Sequence, residues 1–214
     1  MNKKIATLGF YSSVAACIAA IGYSVVQILQ VLGLIDYPLD AILIYGFSLC
    51  IAPPFLLSLL AIHYSSPKDK RIWSLGALLF GGMYVIYVML MYVVQLVVVI
   101  PKGLQDTSVA VLRVSPQSLF WTIDALGYIC MGVATLFAAF VFSKEGLQKW
   151  IRSLLIANGL LVPVIATIYF YPHFSISLLF IGLPWIITVP GSLLLLAIFF
   201  KRRIVDKKTF LNRA

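Results

Sequence analysis

Long apolar runs separated by short polar breaks dominate this chain, and the lengths of the runs predict its elements. A helix needs about 20 mostly apolar residues, rising 1.5 Å each, to cross a hydrocarbon layer. Six runs reach that length, over about 5–34, 41–62, 72–100, 119–142, 151–171 and 176–200. The first and third exceed it, which implies tilting or extension past the hydrocarbon. The predicted fold class is therefore an all-α polytopic membrane bundle of six helices, forming one integral-membrane domain over 1–214. No polar stretch or low-complexity tract is long enough for a second domain. Composition agrees, with 62% hydrophobic and 11% charged residues and a mean hydropathy of +1.05. A soluble domain carries about 25% charged residues.

The breaks between the runs give orientation. Lys3 and Lys4 precede the first run; Lys68, Lys70 and Arg71 follow the second; Lys144, Lys149 and Arg152 follow the fourth. Lys201, Arg202, Arg203, Lys207, Lys208 and Arg213 close the chain, so fourteen of the sixteen basic residues fall on one side. Only Lys102 and Arg113 fall on the other. By the positive-inside rule both termini are expected in the cytoplasm. The same clusters suit contact with anionic lipid headgroups, and this makes nucleic acid an unnecessary partner for the +9 charge. Lys3-Lys4 before an apolar run resembles a signal peptide, and 14–17 loosely resembles a lipobox. The apolar run continues past Cys17 to Ile35, as a span does and a cleaved leader does not.

Asp124 is the acidic residue set well inside a predicted span, about five residues and roughly 8 Å from its outer end. A charged group at mid-membrane costs about 2.5–3.5 kcal/mol on insertion scales, so an intramembrane carboxyl faces the bundle interior. Gln27 and Gln30, one helical turn apart, and Gln95 fall at a similar depth. Trp121 and Tyr128 flank the Asp124 face at helical spacing. These six residues are the candidates for a ligand or proton site opening to the outside, and the alternative is interhelical hydrogen bonding that glues the bundle. Tyr84, Tyr87, Met91 and Gln95 form one stripe on the third run. Asn158 falls near the opposite membrane face and reads as a helix contact.

Pro53, Pro54, Pro163, Pro184 and Pro190 lie inside the runs and are the hinge candidates. Each removes a backbone donor and frees a carbonyl, as in the broken helices of transporters. The outer segment 101–118 is partly apolar and reads as a surface connector or a lid. Tyr37, Trp121, Tyr169 and Tyr171 on one side, and Tyr64, Trp73 and Trp150 on the other, read as interfacial belts. Cys130, Ala134 and Ala138 repeat small residues every four positions, and Gly76, Gly81 and Gly82 thin the third helix. His63 and His173 belong to opposite faces, and Cys17, Cys50 and Cys130 show no ligand spacing, so no metal or cofactor is expected. No nucleotide, hydrolase or metalloprotease motif is present, and no catalytic residues are assigned.

The stretch Phe120, Trp121, Thr122, Ile123, Asp124, Ala125, Leu126, Gly127, Tyr128 opens the fourth run. With the six-span plan, it resembles the small six-span bacterial inner-membrane proteins grouped in families of unknown function. That resemblance implies a prokaryotic cytoplasmic membrane and no assigned activity. The residues themselves favour a small transporter or ligand-binding membrane protein over an accessory protein that packs with partner spans or with its own copies. An intramembrane enzyme acting on lipid or quinone would need a second catalytic group near Asp124.

Overall fold

The computed structural model describes residues 2–173 and 175–211, and these form an all-helical bundle. Among the described residues, six stretches are long and apolar enough to cross a membrane. Helix α1 (Lys3–Val31) begins at Asn2, whose side chain accepts from the Lys4 amide. Helix α2 (Leu39–Ser65) carries Asp40 in its first turn. Helix α3 (Arg71–Val94) continues through a π-helical segment, Gln95–Val99, to a last turn, Ile100–Lys102. Helix α4 (Leu119–Ala139) is capped by Ser118, which accepts from the Trp121 amide. Such side-chain caps satisfy amides that the helix itself leaves unpaired.

The fifth and sixth runs are broken. The fifth divides into α5 (Gly146–Leu160) and α6 (Val162–Phe170), because Pro163 has no N–H to return to the Gly159 carbonyl. The sixth was expected as one helix over 176–200. It instead forms a short α7 (Ile176–Ile181), a turn, and α8 (Trp185–Leu211), whose apolar portion Trp185–Val205 is the span. Pro184 has no N–H to return to the Phe180 carbonyl, and the turn closes with Trp185 donating to the Gly182 carbonyl at 3.0 Å. Pro53, Pro54 and Pro190 lie within continuous helices. The sulfhydryl of Cys17 donates to the Pro190 carbonyl at 3.4 Å.

Helix α1 packs on α2 and α8, α3 packs on α2 and α4, and α5 lies between α4 and α8. Close approach is permitted by small residues. A Cβ on Gly159 would stand 2.7 Å from the Cβ of Leu136 and 3.2 Å from the Gly132 carbonyl oxygen. Ala134 and Ala138 are fully buried, whereas nothing lies within 4 Å of a Cβ at Gly82, which does not serve packing as Gly76 and Gly81 do. Large apolar side chains such as Ile18, Leu79, Ile86, Val97 and Ile187 are exposed around the bundle. In water that surface would be unfavourable, and in lipid it is the solvated face.

Polar contacts tie the helices at separate levels. Ser58 on α2 bonds Ser12 (3.1 Å) and Ser13 (3.0 Å) on α1. Asn158 donates to Thr135 Oγ1 (3.0 Å) and accepts from Thr188 Oγ1 (3.2 Å), joining α4, α5 and α8. At the end holding both termini, Lys70 donates to the Val141 carbonyl (2.9 Å) and Arg152 to that of Phe142 (3.1 Å).

Candidate functional site

The Asp124 carboxyl is buried on α4 between two phenols. Tyr92 of α3 donates to Oδ1 at 2.9 Å, and Tyr169 of α6 donates to Oδ2 at 2.7 Å. Tyr92 and Tyr128 hydroxyls are 2.9 Å apart. Each phenol has one proton, and that of Tyr92 goes to the carboxyl, so Tyr128 donates to Tyr92. Tyr45 stacks on Tyr92 at 5.1 Å, and Trp121 Nε1 donates to the Tyr169 carbonyl at 2.9 Å. An acid that is costly in hydrocarbon is thus held by hydroxyls from two neighbouring helices.

A second chain runs along α1. Tyr23 donates to Gln27 Oε1 (3.1 Å), Gln27 to Gln30 Oε1 (3.1 Å), and Gln30 to Asp40 Oδ2 (2.7 Å). The Ala41 amide holds the other Asp40 oxygen at 2.6 Å. Between the two chains lies a cavity of about 230 Å³, bounded by α1, α4, α6 and the α7–α8 turn. Tyr23, Gln27, Tyr128, Tyr169 and Trp185 line it with aliphatic side chains such as Ile165 and Ile186. Trp185 meets Tyr23 and Tyr128 edge-on, at 5.1 and 5.9 Å between centroids. Ile28, Leu32, Phe180 and Leu183 form an exposed apolar rim.

The six sequence candidates therefore separate. Tyr128 and Gln27 reach the cavity, while Asp124 lies behind Tyr128 and Tyr169, and Gln30 connects Gln27 to Asp40. Trp121 supports the backbone of Tyr169. Gln95 is buried elsewhere: it donates to the Leu112 carbonyl (2.7 Å) and accepts from the Val114 amide (3.2 Å). It anchors the 3₁₀ segment Thr107–Leu112, whose Val109 is buried, at the end of the bundle remote from the termini.

Tyr92, Tyr23 and Asp40 gave no sequence signal beyond ordinary composition. Tyr169 read as a belt residue, yet its hydroxyl turns inward to Asp124. Spacing offered one clue: Tyr92 is one turn from Val88 and Gln95, on the buried side of α3. Among the described residues, no group of three or more His, Cys, Asp or Glu converges on one point.

Fold and composition define a multi-pass membrane protein with an internal hydrogen-bonded tyrosine–carboxyl cluster. Comparison with known proteins gives no matching family model, curated protein or solved structure.

Proposed function

We propose that this protein is a small ligand-binding membrane protein, of transporter type, whose ligand occupies the cavity between α1, α4, α6 and the α7–α8 turn. The observation that carries this reading is the cavity itself, with its apolar walls and a few convergent polar groups. That combination characterises small-molecule sites. An accessory protein that only packs with partner spans would have its interior filled. Two broken helices meet at this cavity, and their ends at Pro163 and Pro184 are its hinge candidates.

The basic clusters support an orientation with both termini in the cytoplasm of a prokaryotic inner membrane. At that end Lys70 and Arg203 line a recess with Ser65, Ser143 and Gln148, which suits anionic headgroups. Reporter fusions at Lys144 and at Gln105 test the orientation: Gln105 is expected outside and Lys144 inside, and the reverse pattern would overturn it.

Binding is tested by calorimetry with the neutral probe 2-phenylethanol and the amine 2-phenylethylamine, using protein in lipid nanodiscs and empty nanodiscs as the blank. Ile186→Trp, which fills the cavity, is expected to abolish saturable binding of either probe. No saturable binding to the unmodified protein, or binding that survives the filled variant, would defeat the reading.

A further inference from the structure

The direction of the hydrogen bonds around the cavity carries information about what fits inside it. A phenol has one proton and two lone pairs. Tyr169 commits its proton to Asp124, Tyr128 commits its own to Tyr92, and Tyr23 commits its own to Gln27. All three residues line the cavity. What their hydroxyls retain, with those protons committed, is acceptor capacity alone.

Charge points the same way. Both hydrogen-bond chains end on carboxyl groups, Asp124 behind one wall and Asp40 beyond the other. Among the described residues, no Lys, Arg or His lines the cavity. The rings of Tyr23, Tyr128, Tyr169 and Trp185 offer electron-rich faces to a cation, with Trp the best of these. The remaining described lining is Gln27, Phe180, Gly182 and aliphatic side chains. An occupant that matches all four features has a positive charge, N–H donors and an apolar body.

We infer that the cavity takes an amphipathic organic amine in its protonated form, its N–H groups bonded to the Tyr128 and Tyr169 oxygens and its apolar portion against Ile165, Ile168 and Ile186. This inference rests on the proposed ligand-binding function and names its ligand class. An anion would face lone pairs and two acids, and a neutral hydrocarbon would leave the three hydroxyl oxygens without a donor.

The test compares three probes of one shape in the nanodisc calorimetry: 2-phenylethylamine, 2-phenylethanol and 3-phenylpropionate. At neutral pH the amine is a cation, because alkylammonium groups lose their proton only near pH ~10. The amine is expected to bind about tenfold or more tightly than the alcohol, in keeping with charge-assisted hydrogen bonds, and the carboxylate weakest. Asp124→Asn is expected to remove most of the amine's advantage while alcohol binding is kept. Tyr128→Phe, which retains the ring and deletes one acceptor, is expected to weaken the amine by several-fold and serves if the Asp124 variant fails to fold. Equal binding of amine and alcohol, or preference for the carboxylate, would overturn the amine inference and leave a ligand cavity standing. Absence of saturable binding by all three would overturn the cavity reading with it.

Discussion

The hydroxyl of Tyr169 donates to Asp124 Oδ2 at 2.7 Å, a bond that joins α6 to α4 across 45 positions of sequence. It holds the shorter piece of the broken fifth span against the bundle, at the point where that piece forms a cavity wall. A double-mutant cycle between Tyr169→Phe and Asp124→Asn, read by reversible unfolding in micelles, is expected to give a coupling of about 0.6–1.7 kcal/mol, from the average to the maximum of such cycles in a membrane bundle. Asp124→Leu should cost more than Asp124→Asn, because it strands two buried hydroxyls at once.

Gln95 is expected to act on a loop and not on the bundle. Gln95→Ala removes the bonds to Leu112 and Val114, so hydrogen exchange should quicken over 107–114 while α1 to α6 keep their protection. Equal loss of protection in α3 and α4 would contradict this role.

Gly159 and Gly82 provide a matched pair. Gly159→Ala forces a Cβ to within 2.7 Å of the Leu136 Cβ, and overpacking of this kind costs about 1–3 kcal/mol. Gly82→Ala meets nothing within 4 Å and should be neutral or stabilising by up to about 1 kcal/mol through helix propensity. Thermal unfolding of the two variants side by side checks the contrast.

The sequence made some features plain and hid others for physical reasons. Apolar run length is sufficient to announce a span, and a carboxyl inside such a run is conspicuous because its insertion is costly, so α1 to α4 and Asp124 could be read directly. An aromatic residue in the same setting is ambiguous. Tyr169 fits a membrane-interface belt as well as an interior bond, and only the packing of α6 on α4 decides between them. Prolines are ambiguous in another way. Each removes a donor, but whether the helix continues depends on its neighbours: Pro53, Pro54 and Pro190 lie in unbroken helices, while Pro163 and Pro184 accompany breaks. The depth of Gln95 was legible and its partner was not, because that partner is the backbone of a distant loop.

Asp106 supplies a pH-dependent prediction outside the membrane. Hydrogen bonds from Ser108, together with the charges of Lys102 and Arg113, hold its carboxyl below the ordinary 3.8, and it caps the 3₁₀ segment through the Ser108 amide at 2.8 Å. A lowered folded value means the cap is fully present above pH 3.8 and is lost as pH falls through that lower value. The Ser108 amide resonance should therefore hold its position from neutral pH down to about 4 and move only in stronger acid. Asp106→Asn should flatten that titration.

The exposed apolar rim of the cavity, formed by Ile28, Leu32, Phe180 and Leu183, sets the currency in which any ligand must be counted. On the proposed ligand-binding function, an apolar rim of this kind favours a ligand already dissolved in the bilayer. Occupancy then follows the ligand's mole fraction in lipid, and its aqueous concentration matters only through partitioning. Two amines of equal intrinsic fit would differ in apparent potency by the ratio of their partition coefficients, and changing the amount of lipid at fixed total ligand would shift every binding curve.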